Sequence, residues 1–231
     1  MGYLPGILPG RARKEVKAMA YQIRVVPSEL RAAANQQREI LSELRESVAT
    51  LDSLRAQLDE AWDGQSGAAA VQLLIELRNG LKSVTENGIE DSAKSLVHVA
   101  NCFESIDENG AMPPVMPRPD LNEILKMPDF NGFASAILGA IQNLRIIPEQ
   151  VYQVSKQCDL QANKVQEKAT QYMGISRGLA ESWEGKAYDR YIDMAEQIYV
   201  GLNHIAQAIT EYSQKIYNAA KYIEQVDNSL M

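Results

Sequence analysis

The sequence predicts an all-α protein, two long helical hairpins packed into a four-helix bundle. Three observations predict it. Apolar residues recur at steps of three and four over stretches far longer than a strand. The nine prolines all fall outside the four striped stretches, as uninterrupted helices require. The plan also occurs twice. Arg24-Val25-Val26-Pro27 and Trp62-Asp63-Gly64 return as Arg145-Ile146-Ile147-Pro148 and Trp183-Glu184-Gly185, both displaced by 121 positions (148 − 27 and 183 − 62).

In chain order, residues 1–18 form an irregular leader whose Arg11, Arg13, Lys14 and Lys17 read as a solvated tail. Met19 is a second candidate start, which leaves open whether the leader is native. The apolar part of the leader is broken by Gly and Pro, and its positive charges follow that part, the reverse of a secretory signal. The first hairpin is expected over 19–107. Pro27 suits a first helical turn, and Ser28 and Glu29 offer acceptors and negative charge there. Leu30, Ala33, Ala34, Gln37, Leu41, Leu44, Val48, Leu51, Leu54 and Leu58 make one stripe, ending near Glu60. Gly64 and Gly67 then punctuate a turn. A second stripe runs from Val71 through Leu81, Val84, Ile89 and Leu96 to Phe103 and Ile106, with Gly80 and Gly88 marking a candidate bend.

Residues 108–143 form a linker containing five of the nine prolines and two short apolar helical pieces, 121–127 and 134–144, the second reaching the next unit. The second hairpin, 144–231, repeats the first. Val151, Val154, Cys158, Ala162, Val165, Ala169, Tyr172 and Leu179 stripe one helix; Tyr188, Tyr191, Ala195, Ile198, Leu202, Ile209, Tyr212 and Ile216 stripe the other. Up to Val84 and Ile205 the copies align at 121, whereas from Ile89 and Ile209 they align at 120 (209 − 89), a one-residue slip near Gly88. A lone hairpin cannot cover its own stripes, so the two hairpins must cover each other.

Composition narrows the function. A net charge of −7 leaves no basic surplus for phosphates, which excludes a general nucleic-acid binder. Nothing approaches the roughly 20 apolar residues of a membrane helix, so no stable membrane insertion is expected. Cys102, Cys158, His98 and His204 lack metal-ligand spacing, and the thiols read as small buried or half-buried groups. No paired nucleophile and base, clustered acids or phosphate loop stands out, so the chain reads as no enzyme, with no catalytic residue, metal or cofactor. Trp62 and Trp183 read as plugs at the bundle ends, with Gly64 and Gly185 permitting the corners. Asp63 and Glu184 read as solvent-facing caps, and Tyr188 and Tyr191 as core or interface.

The paired openings, the two Trp-acid-Gly corners and the run WEGKAYDRY resemble the WXG (Trp-Xaa-Gly) family of small helical hairpins, similar to the early-secreted-antigen proteins of type VII (ESX or Ess) secretion. The resemblance covers roughly 19–107 and 144–231. Family members are hairpins that dimerise head to tail, so the resemblance implies a covalently fused pseudo-dimer, an antiparallel four-helix bundle. The linker would then run the length of the bundle, and Cys102 and Cys158 would lie near opposite ends. The family's export element is an aromatic followed four residues later by an acid. Phe103 and Asp107 fit loosely, with Phe in place of Tyr. In the second copy Tyr222 lies five residues before Asp227, and Ile223 holds the fourth place. The antiparallel arrangement would bring Phe103 and Asp107 to the Trp183 corner. The implied function is a type VII substrate or effector, secreted from a Gram-positive bacterium or mycobacterium without a cleaved signal peptide. The implied partners are the secretion ATPase and machinery, with a toxin or another WXG-like protein as a further partner. Two alternatives stand beside it, an adaptor for a larger helical toxin domain and a cytosolic helical scaffold.

Overall fold

The computed structural model describes residues 24–109 and 145–229; the leader, both short linker helices and the side chains of Asp107 and Asp227 lie outside the described residues. The helices are α1 (Pro27–Ala61), α2 (Gln65–Ser83), α3 (Glu90–Asn109), α4 (Pro148–Gly178) and α5 (Lys186–Ser229). A π-turn, Val84–Ile89, joins α2 to α3 within one continuous rod, and a 3-10 turn, Leu179–Glu181, closes α4. Among the described residues the rods are therefore four, in two hairpins.

Each hairpin starts the same way. Val26 and Ile147 are extended, and Pro27 and Pro148 open the helices with φ already suited to them. Glu29 places its negative charge in the first turn as expected, but neither it nor Ser28 makes a side-chain cap bond to α1. The carbonyl of Val26 accepts from the amides of Glu29 and Leu30 instead. Gly67, expected in the turn, lies inside the first turns of α2, because the reversal is complete by Gly64.

The stripes face inward and their pairing fixes the direction. Gln37 meets Ser176, Glu43 meets Lys168, and Glu46 meets Lys164, so α4 recedes as α1 advances. Gly88 lies against Ile198 and Gly80 against Ile205, giving the same antiparallel sense between the second rods. The bundle is antiparallel, as the resemblance implied. Leu44, Leu51, Leu58, Leu74, Leu81, Val165, Ile198, Leu202 and Ile209 are sealed in one cluster shared by both hairpins. At about 25 cal/mol per Å² of apolar surface, this shared burial is what neither hairpin gains alone. A smaller cluster holds Leu30, Ala34, Leu96, Ala100, Leu179, Trp183 and Tyr191 at one end.

Candidate functional site

The two bundle ends are built from one motif used reciprocally. At each Trp-acid-Gly corner the chain leaves the helix with an extended Trp, whose amide still reaches back four residues: Trp62 to the carbonyl of Leu58 and Trp183 to that of Leu179. Extended backbone exposes one edge, and the opening of the other hairpin fills it. The amide of Ile147 donates to Ala61 O (2.8 Å), and that of Asp63 to Arg145 O (2.8 Å). At the opposite end the amide of Val26 donates to Ser182 O (2.9 Å), and that of Glu184 to Arg24 O (2.9 Å). Trp62 thus faces Ile146, and Val25 faces Trp183, as antiparallel bridges. Each corner is closed by the other copy.

Gly64 and Gly185 have φ of 90° and 115°, where a Cβ is strained, so glycine is required to turn into α2 and α5. Both indoles are sealed, at 1% exposure. Trp62 donates Nε1 to Ser66 Oγ (3.1 Å), and its carbonyl lies so close to Gly67 that a Cβ there would sit 2.1 Å from it. Trp183 instead packs on Tyr188 (ring centroids 5.8 Å apart, edge-on) and Tyr191 (5.3 Å). Asp63 and Glu184 are exposed; Asp63 Oδ1 accepts from the Gly64 amide, and Glu184 pairs with Arg24 at 3.2 Å.

Phe103 is half-buried on the cluster that contains Trp183, so the structure does bring these two predicted residues to one end. Tyr222 stands apart on α5, about half exposed, while its neighbour Ile223 packs on the main cluster. Asp107 and Asp227 are placed only as helical backbone on α3 and α5.

Sequence reasoning missed two features. The opening tetrapeptides are structural partners of the corners, and their equal spacing from the tryptophans was the signal. The second is a buried polar ring near the Trp183 end, joining α1, α3, α4 and α5. Gln37 Nε2 donates to Tyr191 OH (2.7 Å), Ser92 Oγ to Gln37 Oε1 (3.0 Å), and Tyr172 OH to Ser92 Oγ (2.9 Å); Ser176 Oγ lies 3.1 Å from Tyr191 OH. A glutamine within the α1 stripe and two tyrosines, Tyr172 and Tyr191, within the stripes of the second hairpin were its trace.

Burial, with Asp159 adding, pushes the Cys158 thiol up to about 12, so it stays protonated at neutral pH. Burial likewise raises the phenols of Tyr172, Tyr188, Tyr191 and Tyr212. Among the described residues no group of three His, Cys, Asp or Glu is placed to hold a metal, and no helix is long and apolar enough to cross a membrane.

The family model for "proteins of 100 residues with WXG" matches the chain twice, over residues 22–108 and 143–228. The chain belongs to the WXG100 family. It is a tandem member, with both copies in one polypeptide, and the family associates it with type VII secretion. The comparisons with curated proteins and with solved structures return no match. As a WXG100 protein it contains, within one chain, both corners and both openings of a head-to-tail pair.

Proposed function

We propose that this tandem WXG100 protein is a non-enzymatic substrate or effector of type VII secretion, exported as a ready-made pseudo-dimer without a cleaved signal peptide. The observation that carries it is the reciprocal closure of the corners, Val25 on Trp183 and Ile146 on Trp62. A chain that completes both ends by itself needs no second WXG protein to reach a folded form. The modules are the hairpins 19–107 and 144–231. The Trp183 corner, with Phe103 beside it and Asp107 one helical turn further on, is the composite patch read by the secretion ATPase. Tyr222 and Asp227 are the weaker candidate, because Tyr222 stands away from the packed cluster.

Over the described residues the surface supports a free substrate over a toxin adaptor; the apolar piece 134–144, the other feature that would favour an adaptor, lies outside them. Among the described residues the large apolar side chains left exposed are Val26, Leu160, Val200, Tyr217 and Tyr222, spread along the rods. An adaptor for a helical toxin domain calls for a continuous apolar groove.

The test is release into the culture supernatant, compared between the parent strain and one lacking the type VII ATPase. Trp62→Phe, Trp183→Phe and Phe103→Ala/Asp107→Ala are followed in the parent, each checked for retained helicity. ATPase-dependent release, reduced by the changes at the Trp183 end, supports the proposal. Equal retention in the cell by both strains refutes it.

A further inference from the structure

The pseudo-twofold that relates the two corners breaks inside the bundle, and it breaks in a complementary way. Near the Trp183 end, hairpin one contributes Gln37 and Ser92 and hairpin two contributes Tyr172, Ser176 and Tyr191. All five are sealed. Carried through the 121 and 120 offsets, the same five positions toward the Trp62 end are Cys158 and Tyr212 from hairpin two, and Leu51, Arg55 and Ala70 from hairpin one. The structure seats these residues together there: Tyr212 and Cys158 are sealed in the same cluster, and the Tyr212 hydroxyl donates to the Ala70 carbonyl at 2.9 Å. At one end small polar groups of hairpin one meet large phenols of hairpin two. At the other end a phenol of hairpin two fills the space left by an alanine of hairpin one.

We propose that the two hairpins are an exclusive pair, each shaped to accept the other and to reject a copy of itself. A pair of hairpin-two copies would bring Tyr172, Tyr191 and Tyr212 to the same buried place at both ends. Ser92 is completely buried with its Oγ 2.9 Å from Tyr172 OH, a contact the self-pair keeps, so a ring there collides with Tyr172 even with Cys158 in place of Gln37. A pair of hairpin-one copies would face Gln37 and Ser92 with Leu51 and Ala70. Both phenols would be missing and Arg55 would stand in place of Ser176; Gln37 would keep Ser92 but lose the Tyr191 hydroxyl, leaving a cavity and an arginine directed at a sealed site. Either self-pair fails at both ends, whereas the unlike pair succeeds at both. The partner that hairpin one fits is therefore hairpin two, within one chain or exchanged between two chains.

The first test uses the full-length chain with Ser92→Tyr, Tyr191→Ala and the two combined, which transplants the Tyr212–Ala70 pair to the Trp183 end. Each single change should lower Tm, Ser92→Tyr by 10 °C or more. The double variant should melt at least 5 °C above Ser92→Tyr, so that Tyr191→Ala changes sign with its background. Additive losses would overturn the proposal. The second test keeps the native residues and inserts a protease site after Pro117. The folded chain is cleaved, denatured, and refolded as an equimolar mixture of its two halves. Native mass spectrometry should show the unlike 1:1 pair in at least tenfold excess over like pairs. Like pairs in statistical proportion would refute exclusivity whatever the variants do.

Discussion

Arg24 holds Glu184 twice: its carbonyl accepts the Glu184 amide at 2.9 Å, and its guanidinium pairs with the Glu184 carboxylate at 3.2 Å. The two contacts differ in weight. Both side chains are half exposed, so the ion pair is screened by water and salt. The backbone bond belongs to the bridge that joins the hairpins. Arg24→Ala should therefore cost no more than about 0.5 kcal/mol in urea unfolding, with the loss vanishing in high salt. A larger loss would mean that the charge, and not the bridge, closes this end.

Trp62 and Trp183 are sealed to the same degree but stand on different supports. Replacing either by alanine removes a large ring from a packed end and should cost about 3–5 kcal/mol. Phenylalanine should be milder at 183, where stacking on Tyr191 survives, than at 62, where Ser66 loses the indole N–H. Equilibrium unfolding of the four variants checks the order; equal losses for the two Phe variants would contradict it.

The buried phenols and thiol set the alkaline limit. Burial and Glu224 raise Tyr152 from 10.0 to about 12, and burial raises Cys158 from 9.0 to about 12. A raised folded value means that the fold retains the proton better than the unfolded chain. Their contribution is thus complete below about pH 9 and is lost as pH rises toward 12. Tyr172, Tyr188, Tyr191 and Tyr212 act in the same direction. Tm should hold level to about pH 9 and fall steadily above pH 10. Tyrosinate absorbance from the buried phenols should appear only with unfolding. In the native protein at pH 8, Cys102 should react with a thiol reagent well before Cys158.

The repeat was legible because Pro27, Trp62, Pro148 and Trp183 are rare residue types whose positions survive divergence, and because long stripes have one period. Antiparallel packing came with the family resemblance, since stripes alone do not set direction. The polar ring was not legible. Gln37 and Tyr191 lie 154 positions apart, and nothing local to either tells which polar group in an apolar stripe finds a partner. The cap was only half legible: Glu29 does bring its charge to the first turn, but Ser28 lies inside the helix, and the cap position falls on Val26, whose side chain has no acceptor.

Glycines within one fold should respond in opposite directions. A Cβ on Gly67 would sit 2.1 Å from the Trp62 carbonyl oxygen, which is backbone and cannot move aside cheaply. Gly67→Ala should destabilise by more than about 2 kcal/mol. Gly174 is exposed inside α4 with nothing within 4 Å of a Cβ. Gly174→Ala should stabilise by about 0.5–1 kcal/mol, through helix propensity and a less free unfolded chain. Paired urea curves decide it, and a loss at 174 would sink the argument.

The π-turn explains the slip in the repeat and supplies a sharper prediction. Hairpin one has one residue more than hairpin two between the positions of Val84 and Ile89, and the π-turn spans that interval, Val84–Ile89. A π-turn adds a residue to a helix without shifting the stripes on either side. Val84, Thr85, Gly88 and Ile89 accordingly stay buried, and Asn87 points out. Gly88 passes so close to Ile198 that a Cβ on it would lie 3.2 Å from that side chain, so the wide turn also brings backbone near the facing rod. Deleting Asn87 should convert the turn to plain α-helix, as in hairpin two, and keep the register of α3 with Gln37 and Tyr172. The shortened chain should remain folded, with near-UV circular dichroism of its tyrosines and tryptophans unchanged and Tm within a few degrees of the parent. Deleting Asn79, eight residues earlier in the regular part of α2, should instead rotate the stripe by about 100° and collapse the same signals. If both deletions were equally disruptive, the extra residue would be part of the packing and not an insertion absorbed by the turn.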